Sequence, residues 1–400
     1  MAGPNSPNLI ANIAAPRLML VGGGAVAQVA EVLKKFLLSR PLVVTDPFMV
    51  SSGLVERCLV PLRAAGITPG VFSDTVPEPV DTVIEAGVAL LRGKNYDCLI
   101  GFGGGSPIDT AKAMAVLATG GGRMRDYKVP AQADRADLPV IAIPTTAGTG
   151  SECTRFTVIT DHERDEKMLI AGLGALPLAA IVDYELTFSV PARTTADTGV
   201  DSFTHALEAF VSRRANPFSD ALALAAMDLI GRHLRTAYHE PKNTAAREGM
   251  MLGATQAGLA FSNSSVALVH GMSRPIGAHF HVPHGLSNAM LLPAITRFSV
   301  AAAPERYGEA ARRGGFADAR DDDAIACAKL VDGLVALNRE LKVPTPAEFG
   351  IDSVIWESKL ELMAEQALGS GSPNNNPRVP DAAEIVALYR EVWRGETGNA

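Results

Sequence analysis

Apolar residues in the first half of the chain fall in short unbroken runs, separated by stretches with helical spacing. Residues 17–21 form one such run, followed by Gly22, Gly23 and Gly24 and a helical pattern to about Leu38. Residues 41–45 (PLVVT), 70–73, 97–101 (DCLIG) and 139–143 (PVIAI) read as further strands, with a helix over 80–92. Strands that are apolar on both faces and alternate with helices predict a parallel sheet covered on both sides.

Beyond Pro191 the strand signal fades and a 3.6-residue period takes over. Helices are predicted over 196–212, 219–238, 244–260, 324–340, 353–368 and 381–393. The last opens on Asp381 with Glu384 three residues on, the pairing of a capping box. The expected organisation is an α/β dinucleotide-binding domain with a Rossmann-like parallel sheet over 1–188, and an all-helical metal-binding domain over 189–400. Residues 369–380 (GSGSPNNNPRVP) read as a loop leading into the final helix rather than as a linker. Residues 249–273 carry no Asp, Glu, Lys or Arg, a length that could span a bilayer. Gln256, Asn263, His270 and several hydroxyls within them favour a helix pair buried in a protein core.

Composition narrows the function classes. Hydrophobic residues at 47% and charged residues at 20% exclude disorder as the main state. The 36 basic and 43 acidic residues leave a net charge of −7, with no pull toward nucleic acid or anionic membrane. Cys58, Cys98, Cys153 and Cys327 form no C-x-x-C pair, so neither a zinc knuckle nor a disulfide scaffold is indicated. That usage fits a reducing cytosol, and residues 1–8 lack the pattern of a signal peptide, so a cytoplasmic protein is expected.

Candidate chemistry starts at YDCLIGFGGGSPIDTAK (96–112), where a strand runs into a glycine cluster and Pro107 suits the first turn of a helix. Glycines admit a phosphate close to the backbone, and the helix N-terminus offers unpaired N–H groups. A tight turn without ligand is the plainer alternative. PTTAGTGSE (144–152) is a second loop able to wrap a sugar or phosphate with short side chains, and Gly22–Gly24 is a weaker third. Asp46 ends a strand, where a carboxylate can take a ribose 2′-OH and reject a 2′-phosphate, or simply cap a helix.

Four of the eight histidines lie between 270 and 284. Upstream, Asp201 and His205 stand four apart on a predicted helix, hence on one face, beside a core stripe of Val200, Phe203, Leu207 and Phe210. With His270 and His284 they make a plausible divalent transition-metal set. The alternative is a helix ion pair and two core histidines.

GGGSPIDTAK, PTTAGTGSE, GVDSFTHALEAF and HGMSRPIGAHFHVPHG occur in this order along nearly the whole chain, about 22 to 393. Together they resemble the iron-containing (group III) alcohol dehydrogenases, relatives of glycerol dehydrogenases and dehydroquinate synthases. The resemblance implies a nucleotide domain, an all-helical domain and an active site in the cleft between them. It implies metal ligation by Asp201, His205, His270 and His284, and pyrophosphate binding by Gly103, Gly104, Gly105 and Ser106. Asp109 would lie near the nicotinamide, Thr145, Thr146 and Thr149 would line the cofactor, and Lys167 would reach its ribose. Asp46 matches the acidic NAD-selecting position. The implied cofactors are NAD, with NADP possible, and one divalent metal, iron with zinc or another ion as alternatives.

The sequence departs from the family at one place. Many members carry a histidine four residues after the third ligand, and here that position is Arg274. An arginine cannot shuttle a proton at neutral pH but can hold an anion. It is expected either to face the substrate or to pair with Glu208 or Asp109, and Arg274 and His284 are the residues assigned to catalysis. The expected activity is NAD(P)-linked interconversion of an alcohol and an aldehyde or ketone, with the metal as Lewis acid. A lyase of the dehydroquinate synthase type and a catalytically silent assembly protein are the alternatives. Expected partners are a small alcohol or aldehyde and a second copy of the chain in a homo-oligomer (a dimer), with neither nucleic acid nor membrane.

Overall fold

The computed structural model describes residues 10–395. They divide into two compact units, the first spanning Ile13–Val190 and the second holding residues 191–395 together with 10–12. In the first, the strands are β1 (Leu18–Val21), β2 (Pro41–Val44), β3 (Gly70–Phe72), β4 (Cys98–Gly103), β5 (Val140–Pro144), β6 (Phe156–Asp161), β7 (Glu166–Ala171) and β8 (Ala179–Val182). The helices are α1 (Val29–Lys35), α2 (Pro47–Ser51), α3 (Glu56–Ala64), α4 (Asp81–Leu91) and α5 (Gly105–Gly120). Among the described residues, six strands form one sheet in the order β1-β8-β5-β4-β2-β3, with every pair parallel.

The side-chain alternation of a strand explains why helices cover both faces. Val43, Ile100, Phe102, Ile141 and Ile181 pack on one side with Val29, Leu33, Leu59 and Leu62 of α1 and α3. Their neighbours Leu42, Val44, Leu99 and Val140 pack on the other with Ile84, Val88, Met114 and Leu117 of α4 and α5. The strand pattern did not anticipate β8 or the antiparallel hairpin β6–β7, whose register pairs Thr160 with Lys167. The hairpin is half exposed and interrupted by the charged turn HERD (162–165), so it lacks the unbroken apolar run that marks the other strands.

The second unit is helical among its described residues: α6 (Ala192–Val211), α7 (Pro217–His239), α8 (Thr244–Ser262), α9 (Leu268–Phe280), α10 (His284–Ser299), α11 (Pro304–Arg313), α12 (Asp323–Glu340), α13 (Ser353–Gly369) and α14 (Ala382–Arg394). Asp381 caps α14 in a capping box with Glu384. The uncharged stretch 249–273 becomes the end of α8 and the start of α9, both largely buried. Among the described residues no helix is long and apolar enough to cross a membrane. The loop at 369–380 is pinned: it forms a 3-10 turn, Ser372–Asn375, whose Asn375 Nδ2 donates to Ser265 Oγ at 2.8 Å.

Candidate metal centre and nucleotide loop

The buried face of α6 carries Asp201 and His205 one turn apart; α9 supplies His270, and His284 is the first residue of α10. One ligand atom from each of the four lies within 4.8 Å of all the others. Asp201 Oδ1 stands 3.8 Å from His205 Nε2, 3.5 Å from His270 Nε2 and 4.0 Å from His284 Nε2. His205 is stacked between Phe261 and His270, at centroid distances of 4.3 and 4.5 Å. The side chains of Asp201, His205 and His270 are buried, while that of His284 is 38% exposed, so the cluster has one open side. Burial alone would push the Asp201 carboxyl up. The charges of His205 and His284 and the hydrogen bond from His270 outweigh it and hold Asp201 well below the usual carboxylate range.

Two residues that the motif spacing did not single out organise this cluster. Glu208, a further turn along α6, accepts from the backbone N–H of Val269 and from His270 Nδ1, both at 2.6 Å. A carboxylate can only accept here, so His270 Nδ1 carries a proton and the ring is turned with Nε2 toward the cluster. Burial pulls His270 down, but Glu208 and Asp201 together raise it to about 9. Asn288, one turn beyond His284, places Nδ2 at 2.6 Å from Asp201 Oδ1, 3.1 Å from His270 Nε2 and 3.2 Å from His284 Nε2. One carboxylate oxygen and two imidazole nitrogens thus converge on a single amide nitrogen, while the buried Asn288 Oδ1 has no hydrogen-bond partner. One carboxylate and three imidazoles converging in this way fit a divalent transition metal. The stripe Asp201, His205, Glu208 at i, i+4, i+7 was the signal available for Glu208. Replacing Glu208 by Gln should lower metal affinity about ten- to a hundredfold. A chelator competition titration against the parent protein measures this.

In the first unit, β4 runs into Gly103 and α5 starts at Gly105, with no side chain capping its N-terminus. Gly103 has φ +147°, and a Cβ there would meet Pro107 Cγ at 2.6 Å, so glycine is required by the turn itself. Gly104 is different: a Cβ would meet nothing closer than Thr146 Oγ1 at 3.6 Å. The fold leaves that space open. Thr145, Thr146 and Thr149 follow β5, which is the neighbour of β4, so both loops leave the same carboxyl edge of the sheet. Asp46 follows β2 on the other side of β4 and caps α2, accepting from Met49 N at 2.9 Å through Oδ1.

Other expected positions are engaged within the protein. Asp109 accepts from Ser151 Oγ at 2.8 Å and Val158 N at 3.0 Å, tying α5 to the loop after β5 and to β6. Lys167 is ion-paired with Glu78 at 2.6 Å. The Gly22–Gly24 turn is filled from inside: Asp183 accepts from Gly24 N and Val26 N, each at 3.1 Å. Arg274 pairs with neither Glu208 nor Asp109; NH1 donates to Ser372 Oγ at 3.0 Å. His279 bonds Gln366 at 2.8 Å, and His281 ends α9 in a left-handed conformation.

A glycine turn suited to a dinucleotide in one unit and a histidine-rich cation cage in the other define a metal-dependent dehydrogenase. Known proteins agree. Residues 16–184 match the family described as iron-containing alcohol dehydrogenase, and residues 195–393 match the C-terminal part of the Fe-containing alcohol dehydrogenase family. The NAD-dependent methanol dehydrogenase of Bacillus methanolicus is 36% identical over 95% of this chain and 99% of its own length. The long-chain-alcohol dehydrogenase 1 of Geobacillus thermodenitrificans is 39% identical over 96% and 98%. A crystal structure of a 1,3-propanediol oxidoreductase superposes with a TM-score of 0.91 at 34% identity, covering 96% of this chain and all of that one. The chain belongs to the iron-containing alcohol dehydrogenase family. Its activity is the metal-dependent, NAD(P)-linked interconversion of an alcohol with an aldehyde or ketone.

Proposed function

We propose that Asp201, His205, His270 and His284 hold a single divalent ion, iron with zinc as the alternative, and that NAD(H) is the preferred dinucleotide. The observation that carries the reading is the convergence of four ligand atoms within 4.8 Å. When bound, the metal supplies Lewis acidity at the substrate oxygen, and the nicotinamide exchanges a hydride with the substrate carbon. Asp201 and the three histidines fix where the substrate oxygen must sit, and the half-exposed His284 marks the side from which it arrives. Glu208 keeps His270 in the tautomer that presents its lone pair. Gly103, Gly104, Gly105 and Ser106 take the pyrophosphate at the N-terminus of α5, and Thr145, Thr146 and Thr149 line the cofactor. Asp109 holds that loop through Ser151 and Val158, on the nicotinamide side, and Lys167 borders the ribose. The balanced reaction converts alcohol and NAD⁺ to aldehyde or ketone, NADH and a proton. The domain boundary is placed near residue 188. A homodimer in the cytosol is proposed, the latter supported by four cysteines that are buried and form no disulfide.

The test is a panel of alcohols and aldehydes assayed with NAD(H) and NADP(H), on protein of measured metal content. Failure to turn over any of them with metal fully loaded would overturn the reading. Two variants examine the dinucleotide preference. Asp46→Gly is expected to raise relative activity with NADPH, because the carboxylate that repels a 2′-phosphate is gone. Asp46→Asn should do the same while keeping an acceptor for Met49 N. An unchanged NADH/NADPH ratio in both would remove Asp46 from the adenosine site. In the pyrophosphate turn, Gly104→Ala is expected to leave the thermal midpoint within a degree or two and to raise the KM for NAD by about tenfold or more. A normal KM for NAD would put the phosphates elsewhere.

A further inference from the structure

We propose that Arg274, together with Ser372, is the binding point for an anionic group on the substrate, so that this dehydrogenase acts on an aldehyde or alcohol that also carries a carboxylate or sulfonate. The proposal rests on the alcohol dehydrogenase reading above and adds the substrate class. Alcohols as different as methanol and long-chain alcohols are named for the relatives, so family membership leaves that class open.

Arg274 is the sole Asp, Glu, Lys or Arg between residues 249 and 280. Its guanidinium is half-buried, and among the described residues its hydrogen bonding is a single bond, to Ser372 Oγ at 3.0 Å. No carboxylate of the described residues pairs with it. A guanidinium carries five N–H donors. Other half-buried arginines of the same unit are neutralised: Arg306 pairs with Asp220 and also bonds the Phe210 carbonyl, and Arg193 pairs with Asp197 and bonds two carbonyls. Glu208 attracts Arg274 from a distance but makes no ion pair with it, since its two oxygens accept from Val269 and His270. A largely buried guanidinium with one hydrogen bond and no carboxylate in contact has donors left for an anion that arrives from outside.

Ser372 adds a donor. It is 6% exposed, its oxygen accepts from Arg274, and its own hydroxyl hydrogen has no acceptor among the described residues. The turn that carries it is fixed against α9, for a Cβ on Gly271 would meet Pro373 at 2.8 Å. Arg274 lies one helical turn beyond His270, on the same face and about 6 Å farther along the axis. A short carbon chain bridges that distance, with its oxygen at the ligand cluster and its anion at Arg274.

The experiment uses metal-loaded protein with NADH and three aldehydes of matched length: butanal, 4-oxobutanoate and the corresponding sulfonate. The anionic members should exceed butanal in kcat/KM by about ten- to a hundredfold, and the comparison of the two anions identifies which is preferred. Arg274→Gln should bring the ratio to within about threefold of unity, and Arg274→Lys, which keeps the charge but not the fork, should recover part of it. Calorimetry with butanoate and ethanesulfonate should show binding to the parent protein and none to Arg274→Gln, a readout that needs no turnover. A parent ratio near one, or a ratio unchanged in Arg274→Gln, would overturn this proposal while leaving the dehydrogenase reading intact. Absence of turnover with every alcohol and aldehyde would overturn that reading instead, and the calorimetric arm would still decide whether Arg274 binds anions.

Discussion

Replacing His205 by alanine is expected to remove metal and activity together while the protein stays folded. His205 Nε2 is one of four converging ligand atoms, and the ring is held between Phe261 and His270, so no other side chain can move into its place without disturbing both. Three remaining ligands bind a divalent ion far more weakly. Lewis-acid stabilisation of developing charge is worth several kcal/mol, and each 1.36 kcal/mol is a factor of ten in rate, so kcat/KM should fall by about a thousandfold or more. Alanine is the best helix former, so α6 has no local reason to unwind. Elemental analysis, circular dichroism and kcat/KM on the same preparation measure the three outcomes. Full metal occupancy in the variant would take His205 out of the ligand set.

Lys112→Met should produce the largest loss of stability of any variant considered, about 3–5 kcal/mol. Lys112 is completely buried on α5, and its ammonium donates to Thr154 O at 3.0 Å, Thr154 Oγ1 at 3.2 Å and Phe156 O at 2.9 Å, with Asp109 Oδ1 at 4.0 Å. Burial lowers the Lys112 pKa, with Asp109 opposing the shift; burial raises that of Asp109, with Lys112 opposing in turn. Methionine fills a similar volume but donates nothing. It strands two carbonyls and leaves the Asp109 carboxylate without its nearest cation. Because Asp109 also holds Ser151 and Val158, the loop after β5 should loosen and the KM for NAD should rise with the loss of stability. The urea midpoint at constant m-value gives the first quantity. A shift worth less than about 1 kcal/mol would show that the ammonium is not the clamp between α5 and β6.

What the chain reveals by itself is whatever repeats within one element. The 3.6-residue period located α6, α7, α8, α12, α13 and α14 to within a few residues, and unbroken apolar runs located β1 to β5. The i, i+4 spacing of Asp201 and His205 was equally local, which is why that pair was visible as a unit. Helix α10 is buried on most sides and contains Pro293, so few polar positions mark its period, and the ten-residue helix α11 was missed although it is amphipathic. The hairpin β6–β7 hides its alternation beside a charged turn.

Tertiary structure decided which partner each polar group meets. The motifs placed Arg274 near the ligands, but its contact is Ser372, 98 residues away, rather than Glu208. Glu208 is committed instead to Val269 and His270, 61 and 62 residues distant. Likewise Lys112 is one more residue of an ordinary helix until β6 folds over it, and Asp183 closes the Gly22–Gly24 turn from 159 residues away. The spacing of residues within a helix follows from its geometry. The choice among possible counter-charges depends on which helices and strands come to lie side by side, and local spacing carries no record of that.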